Sequence, residues 1–226
     1  LQRLPIRSLV LLGALLLLYL LVPLSIESSL LGVTVRMLVL LVLCVGGYLL
    51  LRERRWVAAY VMIAVPALLT GILVEFSVGH PWMAISSNTL TAVLLALLFS
   101  AVVRFSLLDP EARKIDRIAS GICGYLLLGL FWSDLYRISN ALVSDGFRTA
   151  QGVGSLPNDG VALYFSVVTL TTLGYGDISP VNPWIRMLAS MQAITATLFL
   201  AIFIASLIAR KGLVFSGAKP EDEGRP

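Results

Sequence analysis

Thr169-Leu170-Thr171-Thr172-Leu173-Gly174-Tyr175-Gly176-Asp177 lies between two long apolar segments. Gly174 and Gly176 permit backbone angles that other residues resist, so successive carbonyls there can be aimed at one axis. A ring of such carbonyls can replace the water around a dehydrated cation. The preceding residues 161–171 are apolar but too short to cross a bilayer. Eleven helical residues reach about 16 Å, roughly half the hydrocarbon thickness. Asn158 or Asp159 is placed to cap the start of that helix. A half-length helix followed by non-helical backbone is a re-entrant loop, which survives at membrane depth only where protein or a water-filled pore satisfies it.

The rest of the chain supplies the membrane. Its 226 residues are 58% hydrophobic and 13% charged. Soluble domains carry about 25% charge. Six stretches, 7–26, 30–51, 56–76, 82–105, 118–137 and 182–209, are near the length of about 20 apolar residues that a spanning helix needs. The first is too long for the apolar part of a signal peptide and is read as a retained helix. Arg3 and Arg7, Arg52, Arg54 and Arg55, Arg104, Arg113, Lys114 and Arg117, and Arg210 and Lys211 all fall on one side if both termini are cytoplasmic. The opposite connections carry Glu27, Glu75, Asp145 and Asp159. This agrees with the excess of basic residues in cytoplasmic loops. Trp56, Trp82, Trp132 and Trp184 stand at or near span ends, where aromatic rings anchor at the interface. No Lys/Arg run suggests nucleic acid as a partner, and the net charge of +4 marks the cytoplasmic face instead. Cys44 and Cys123 both lie inside apolar runs, which points to burial and not to a disulfide.

An outer helix, a re-entrant helix, Thr-x-Gly-Tyr-Gly and an inner helix, over residues 118–209, resemble the pore of the tetrameric potassium channel family. The resemblance implies an all-α integral membrane fold with six transmembrane helices, a re-entrant pore helix and a selectivity-filter loop. It implies K+ coordination by Thr172, Leu173, Gly174, Tyr175 and Gly176. Asp177 then puts negative charge at the outer mouth, with Thr171, Tyr164 and Phe165 in support. Tyr175 is expected to brace the loop against Tyr164 or Phe165. Leu173 stands where the family most often has Val, and Tyr164-Phe165 where many members have a Trp pair. One loop cannot enclose an ion and the chain has one, so a homotetramer is required, with K+ as permeant ion and no cofactor. Thr195, Phe199, Ile202 and Ser206 lie on one stripe of the last span and either line the inner cavity or pack on neighbouring helices. The hinge glycine of many relatives is absent from residues 193–197.

Four spans before a pore invite a voltage-sensor reading, which needs several charges per subunit in the field. The fourth span has Arg104 alone at its inner end, and Arg36 in the second is isolated, so no sensor is expected; Arg36 is assigned a structural pairing with Glu27 or Glu75. The division anticipated is a four-helix module (1–106), a cytoplasmic linker helix (107–117) started by Asp109-Pro110, a pore domain (118–211) and a flexible tail (212–226). His80 reads as a solvated loop residue, and Asp134 with Arg137 as a local ion pair. No catalytic set or metal cluster is evident, so the chain is read as a channel and not an enzyme, in a cell membrane, bacterial inner membrane being the favoured setting. The rival readings are a weakly selective cation channel of the same fold and a non-conducting membrane sensor or scaffold.

Overall fold

The computed structural model describes residues 6–22, 34, 37–43, 45–46, 54–76, 81–108, 113–156 and 158–215. Helix α1 is Ile6–Leu21, and α2 holds residues 37–43 and 45–46. Helix α3 is Arg54–Phe76, α4 Pro81–Leu108 and α5 Lys114–Leu142. A hairpin of β1 (Phe147–Thr149) and β2 (Gly152–Gly154) precedes the short helix α6 (Asp159–Leu170). Strand β3 (Ser179–Pro180) and the long helix α7 (Pro183–Phe215) complete the chain. Among the described residues, three helices are long and apolar enough to cross a membrane: Trp82–Leu107, Lys114–Leu142 and Pro183–Ala209. Shorter apolar helices cover Ser8–Leu21 and Tyr60–Leu73. Cys44, Arg36 with Glu27, His80, Asp109-Pro110 and tail residues 216–226 lie outside the described residues, as does the side chain of Glu75.

One expectation changes. The span anticipated at 118–137 is a 29-residue helix that continues through the polar Arg137–Asn140 stretch. Hydropathy loses a helix where it becomes polar, but the backbone ladder continues. Trp132 therefore sits well inside α5, buried against Phe131 and Tyr136, and is not an interfacial anchor. Trp82 and Trp184, by contrast, are exposed. Of residues 107–117, where a linker helix is anticipated, residues 109–112 lie outside the described residues. Leu107 and Leu108 close α4, and Lys114 to Arg117 open α5 behind an Arg113 that makes no side-chain cap. The polar connection after α5 carries a short antiparallel hairpin. β1 pairs antiparallel with β2 (Phe147 opposite Gly154) and with β3 (Phe147 opposite Pro180), so the fold carries a small sheet on an otherwise helical frame.

The first helices and the α5–α7 unit are not separated by a polar seam. One apolar cluster joins Leu11 and Leu15 of α1, Leu40 and Leu43 of α2, Leu94 and Leu98 of α4, Leu127 of α5 and Leu163 of α6. At one end, Ser8 donates to Asp116 Oδ1 at 3.1 Å while Arg113 donates to Asp116 Oδ2 at 3.2 Å, which ties α1 to the start of α5. Cys123 is a free, buried thiol.

Helices α5 and α7 approach closely at Gly121. A Cβ there would lie 1.9 Å from Cζ of Phe203, whose ring stacks on Phe199 with centroids 6.1 Å apart. Gly121→Ala is expected to push the Phe203 ring aside and cost about 1–3 kcal/mol, the usual scale of overpacking. Thermal unfolding in detergent should show the drop, and adding Phe203→Leu should recover part of it.

Candidate functional site: the loop after α6

Helix α6 is aimed and held from both ends. At its start, the Asn158 side chain accepts the Val161 amide at 3.0 Å, settling which of the two candidate residues caps. Asn158→Ala is expected to destabilise the protein by about 1 kcal/mol, read from the thermal midpoint. Asp159 instead pairs with Arg137 of α5, which also donates to Asp134 Oδ1 at 3.0 Å. Asn140 clamps the incoming chain by accepting the Leu156 amide at 2.6 Å and donating to the Leu156 carbonyl at 3.2 Å.

At the far end, the last carbonyls of α6 all receive donors. Thr171 closes on Val167 through both its amide (3.0 Å) and its hydroxyl (2.8 Å). The Val168 carbonyl accepts the amides of Leu173 (3.0 Å) and Gly174 (3.4 Å), and that of Thr169 accepts the Thr172 amide at 3.1 Å. The Leu170 carbonyl accepts the Tyr125 hydroxyl at 3.1 Å. Residues 172–174 are thus stitched by their amides to the end of a helix.

The loop's dihedral signs alternate. Thr172 (φ 58°), Gly174 (φ 57°) and Gly176 (φ 81°) are left-handed, while Leu173 and Tyr175 between them are not. In an ordinary strand successive carbonyls oppose one another. Alternation in the sign of φ is the condition under which they line one edge. Glycine takes positive φ freely, but a β-branched threonine does so at a cost of about 1–2 kcal/mol. Such strain persists only where the surroundings impose it, and it gathers at functional sites. Among the described residues no donor reaches the carbonyls of residues 172–176, and residues 171–177 are exposed.

The flanking residues divide. Tyr164 donates to Asp177 Oδ2 at 2.7 Å, so these two meet as a pair at the loop's end. Phe165 does not reach the loop. It is buried between Tyr136 and Phe147, with ring centroids 4.8 and 5.4 Å away, because helical geometry turns adjacent residues of α6 to different sides. Tyr175 is 67% exposed and, among the described residues, stacks on no ring.

The stripe on α7 divides as well. Thr195 is exposed and its hydroxyl bonds back to Met191 and Gln192 carbonyls, as does that of Ser206 to Phe203. Ile202 is 58% exposed. Phe199 instead packs inward on Phe99, Tyr125 and Phe203, because α7 lies against α5 on that side.

Sequence reading missed a buried polar chain behind α6. The Tyr136 hydroxyl donates to Gln192 Oε1 at 2.6 Å. Gln192 Nε2 donates to the Ser166 carbonyl (2.8 Å) and hydroxyl (2.9 Å), and the Ser166 hydroxyl donates to the Gly129 carbonyl at 2.7 Å. Tyr136, Ser166 and Gln192 are all fully buried. The available signal was a lone glutamine inside an apolar span.

The family model described as an ion channel matches residues 121–210, which contain α6, the loop and α7 up to Arg210. Two-pore potassium channel 5 of Arabidopsis thaliana is 40% identical over 47 residues, 21% of this chain and 12% of that protein. The inward rectifier potassium channel Kirbac3.1 of Paramagnetospirillum magnetotacticum is 30% identical over 102 residues, 41% of this chain and 35% of that protein. The chain thus spans about a third or less of the length of these relatives. No solved structure gives a significant match. Residues 121–210 thus match an ion channel domain, and parts of the chain are similar to potassium channels.

Proposed function

We propose that this chain of the ion channel family assembles as a homotetramer and conducts potassium passively, down its gradient, through a pore on the fourfold axis. The observation that carries the reading is the alternating backbone of Thr172 to Gly176, with carbonyls that accept no donor among the described residues. Unsatisfied carbonyls at membrane depth need protein or water around them. Four copies around an axis would give rings of carbonyls in place of potassium's hydration shell. Cyclic symmetry closes such a ring with identical contacts. The Thr172 hydroxyl would add an inner ring, and Asp177, steadied by Tyr164, an outer one of negative charge. Tyr175 and Leu173, exposed here, would find their packing in the neighbouring subunit. Helix α7 supports the same assembly: in the spanning window of Pro183–Ala209 only 17% is buried. The full arrangement has six spans, termini on the cytoplasmic side of a cell membrane, and no cofactor.

The test is flux. Purified protein in liposomes should pass potassium or rubidium well above the sodium rate, and its detergent-corrected mass should equal four chains. Equal sodium and potassium rates would replace this reading by a weakly selective cation channel. No flux from an intact assembly would favour a non-conducting role.

A further inference from the structure

We infer that Gln192 is the positioning residue through which the inner helix sets the conformation of the Thr172–Gly176 loop. This rests on the proposed role of that loop in the pore. Gln192 sits on α7 and spends both amide hydrogens on Ser166 of α6, while its oxygen is held by Tyr136 of α5. Ser166 in turn fixes Gly129 of α5. All donors of the glutamine amide are used, and no water is needed to complete the set. In a buried apolar setting such a chain is stiff, because each lost bond leaves a polar group stranded.

Two residues beyond Ser166, the Val168 carbonyl holds the amides of Leu173 and Gly174. Movement of α7 at Gln192 is therefore transmitted to α6, and from the end of α6 to the backbone of the loop. The route is short and made of hydrogen bonds with defined partners. A second contact lies nearby: Phe199 of α7 stacks on Tyr125, whose hydroxyl holds the Leu170 carbonyl. With Ala193, Ala196 and no glycine in the middle of α7, the helix has no ready bend below Gln192. Displacements of α7 reach the loop as movements of a rigid rod.

The experiment uses the assembled protein and compares wild type with Gln192→Leu, Tyr136→Phe, Ser166→Ala and the Gln192→Leu/Ser166→Ala pair. The first readout is hydrogen exchange at the Leu173 and Gly174 amides; the second is the potassium-to-sodium permeability ratio. Gln192→Leu is expected to speed that exchange, and to lower that ratio, by roughly tenfold, the scale of stranded buried hydrogen-bonding groups. Tyr136→Phe should give a smaller change in the same direction, and the pair should be no worse than Gln192→Leu alone. Ser8→Ala, which removes the bond from α1 to Asp116 at the start of α5 and leaves α7 and the network alone, should leave both readouts unchanged. Unchanged exchange in Gln192→Leu and Tyr136→Phe would overturn the inference, as would an equal effect from Ser8→Ala. If Gln192→Leu does not assemble, Tyr136→Phe and Ser166→Ala decide on the same criteria. A wild-type protein that fails to discriminate potassium from sodium defeats the functional reading alone, since amide exchange still reports the coupling.

Discussion

Gly176→Ala is expected to reduce potassium flux at least about a hundredfold while leaving the helices and the assembly intact. Space is not the reason, since an added Cβ at Gly176 meets nothing within 4 Å among the described residues. The reason is backbone angle: Gly176 sits at φ 81°, where an L side chain is strained. The cost is about 1–2 kcal/mol per residue. Four subunits must adopt the angle together, so the penalties add to roughly 4–8 kcal/mol against the conducting arrangement. Alanine relieves the strain by turning its peptide over, which in four identical subunits removes one whole ring of carbonyls. Gly154→Ala is the matched control, because Gly154 has neither a positive φ nor a neighbour within 4 Å of an added Cβ. Circular dichroism and mass should be unchanged in both variants, with flux lost in one. Undiminished flux through Gly176→Ala would contradict the filter assignment.

The second large effect is at the outer end of α5. Arg137 lies between Asp134 of its own helix and Asp159 at the start of α6. The Asp134 side chain is 5% exposed and that of Arg137 16%, so the pair is largely out of water. Removing one partner of a buried ion pair leaves an uncompensated charge, which costs about 3–5 kcal/mol. Arg137→Met should therefore lower stability by roughly that amount, discounted because Asp159 is more than half exposed. The measurement is thermal unfolding of the assembled protein. Arg137→Met with Asp134→Asn should recover much of the loss, since the second change removes the stranded carboxylate. A single variant as stable as wild type would show that the pair holds nothing, and that the hairpin and Asn140 alone fix the start of α6.

The local features were legible before any fold was known. The short helix anticipated at 161–171 is observed as Asp159–Leu170, because its bounds follow from a capping residue and the glycine pair beyond it. The Asp134–Arg137 pair is a matter of helical spacing. The positive φ at Gly174 and Gly176 follows from residue type. Other features were not legible, for equally physical reasons. Trp132 was misplaced because composition does not reveal that α5 continues past its apolar stretch. Phe199 lay on the anticipated stripe but turns inward, since the face a helix buries depends on which neighbours it meets. Phe165 and Tyr175 carry the right chemistry for bracing a loop, yet one faces the chain's own core and the other faces away from it.

Sequence by itself determined the membrane setting, the half-length helix and a glycine-paired loop suited to carbonyl coordination, because these depend on hydropathy, chain length and local dihedral preference. Only the tertiary structure decided that Thr172 shares the left-handed geometry, that Tyr164 meets Asp177, and that Gln192 joins three helices behind the loop. Those contacts join residues up to 56 positions apart. Packing sets which side chains meet over such distances, and no local propensity encodes it.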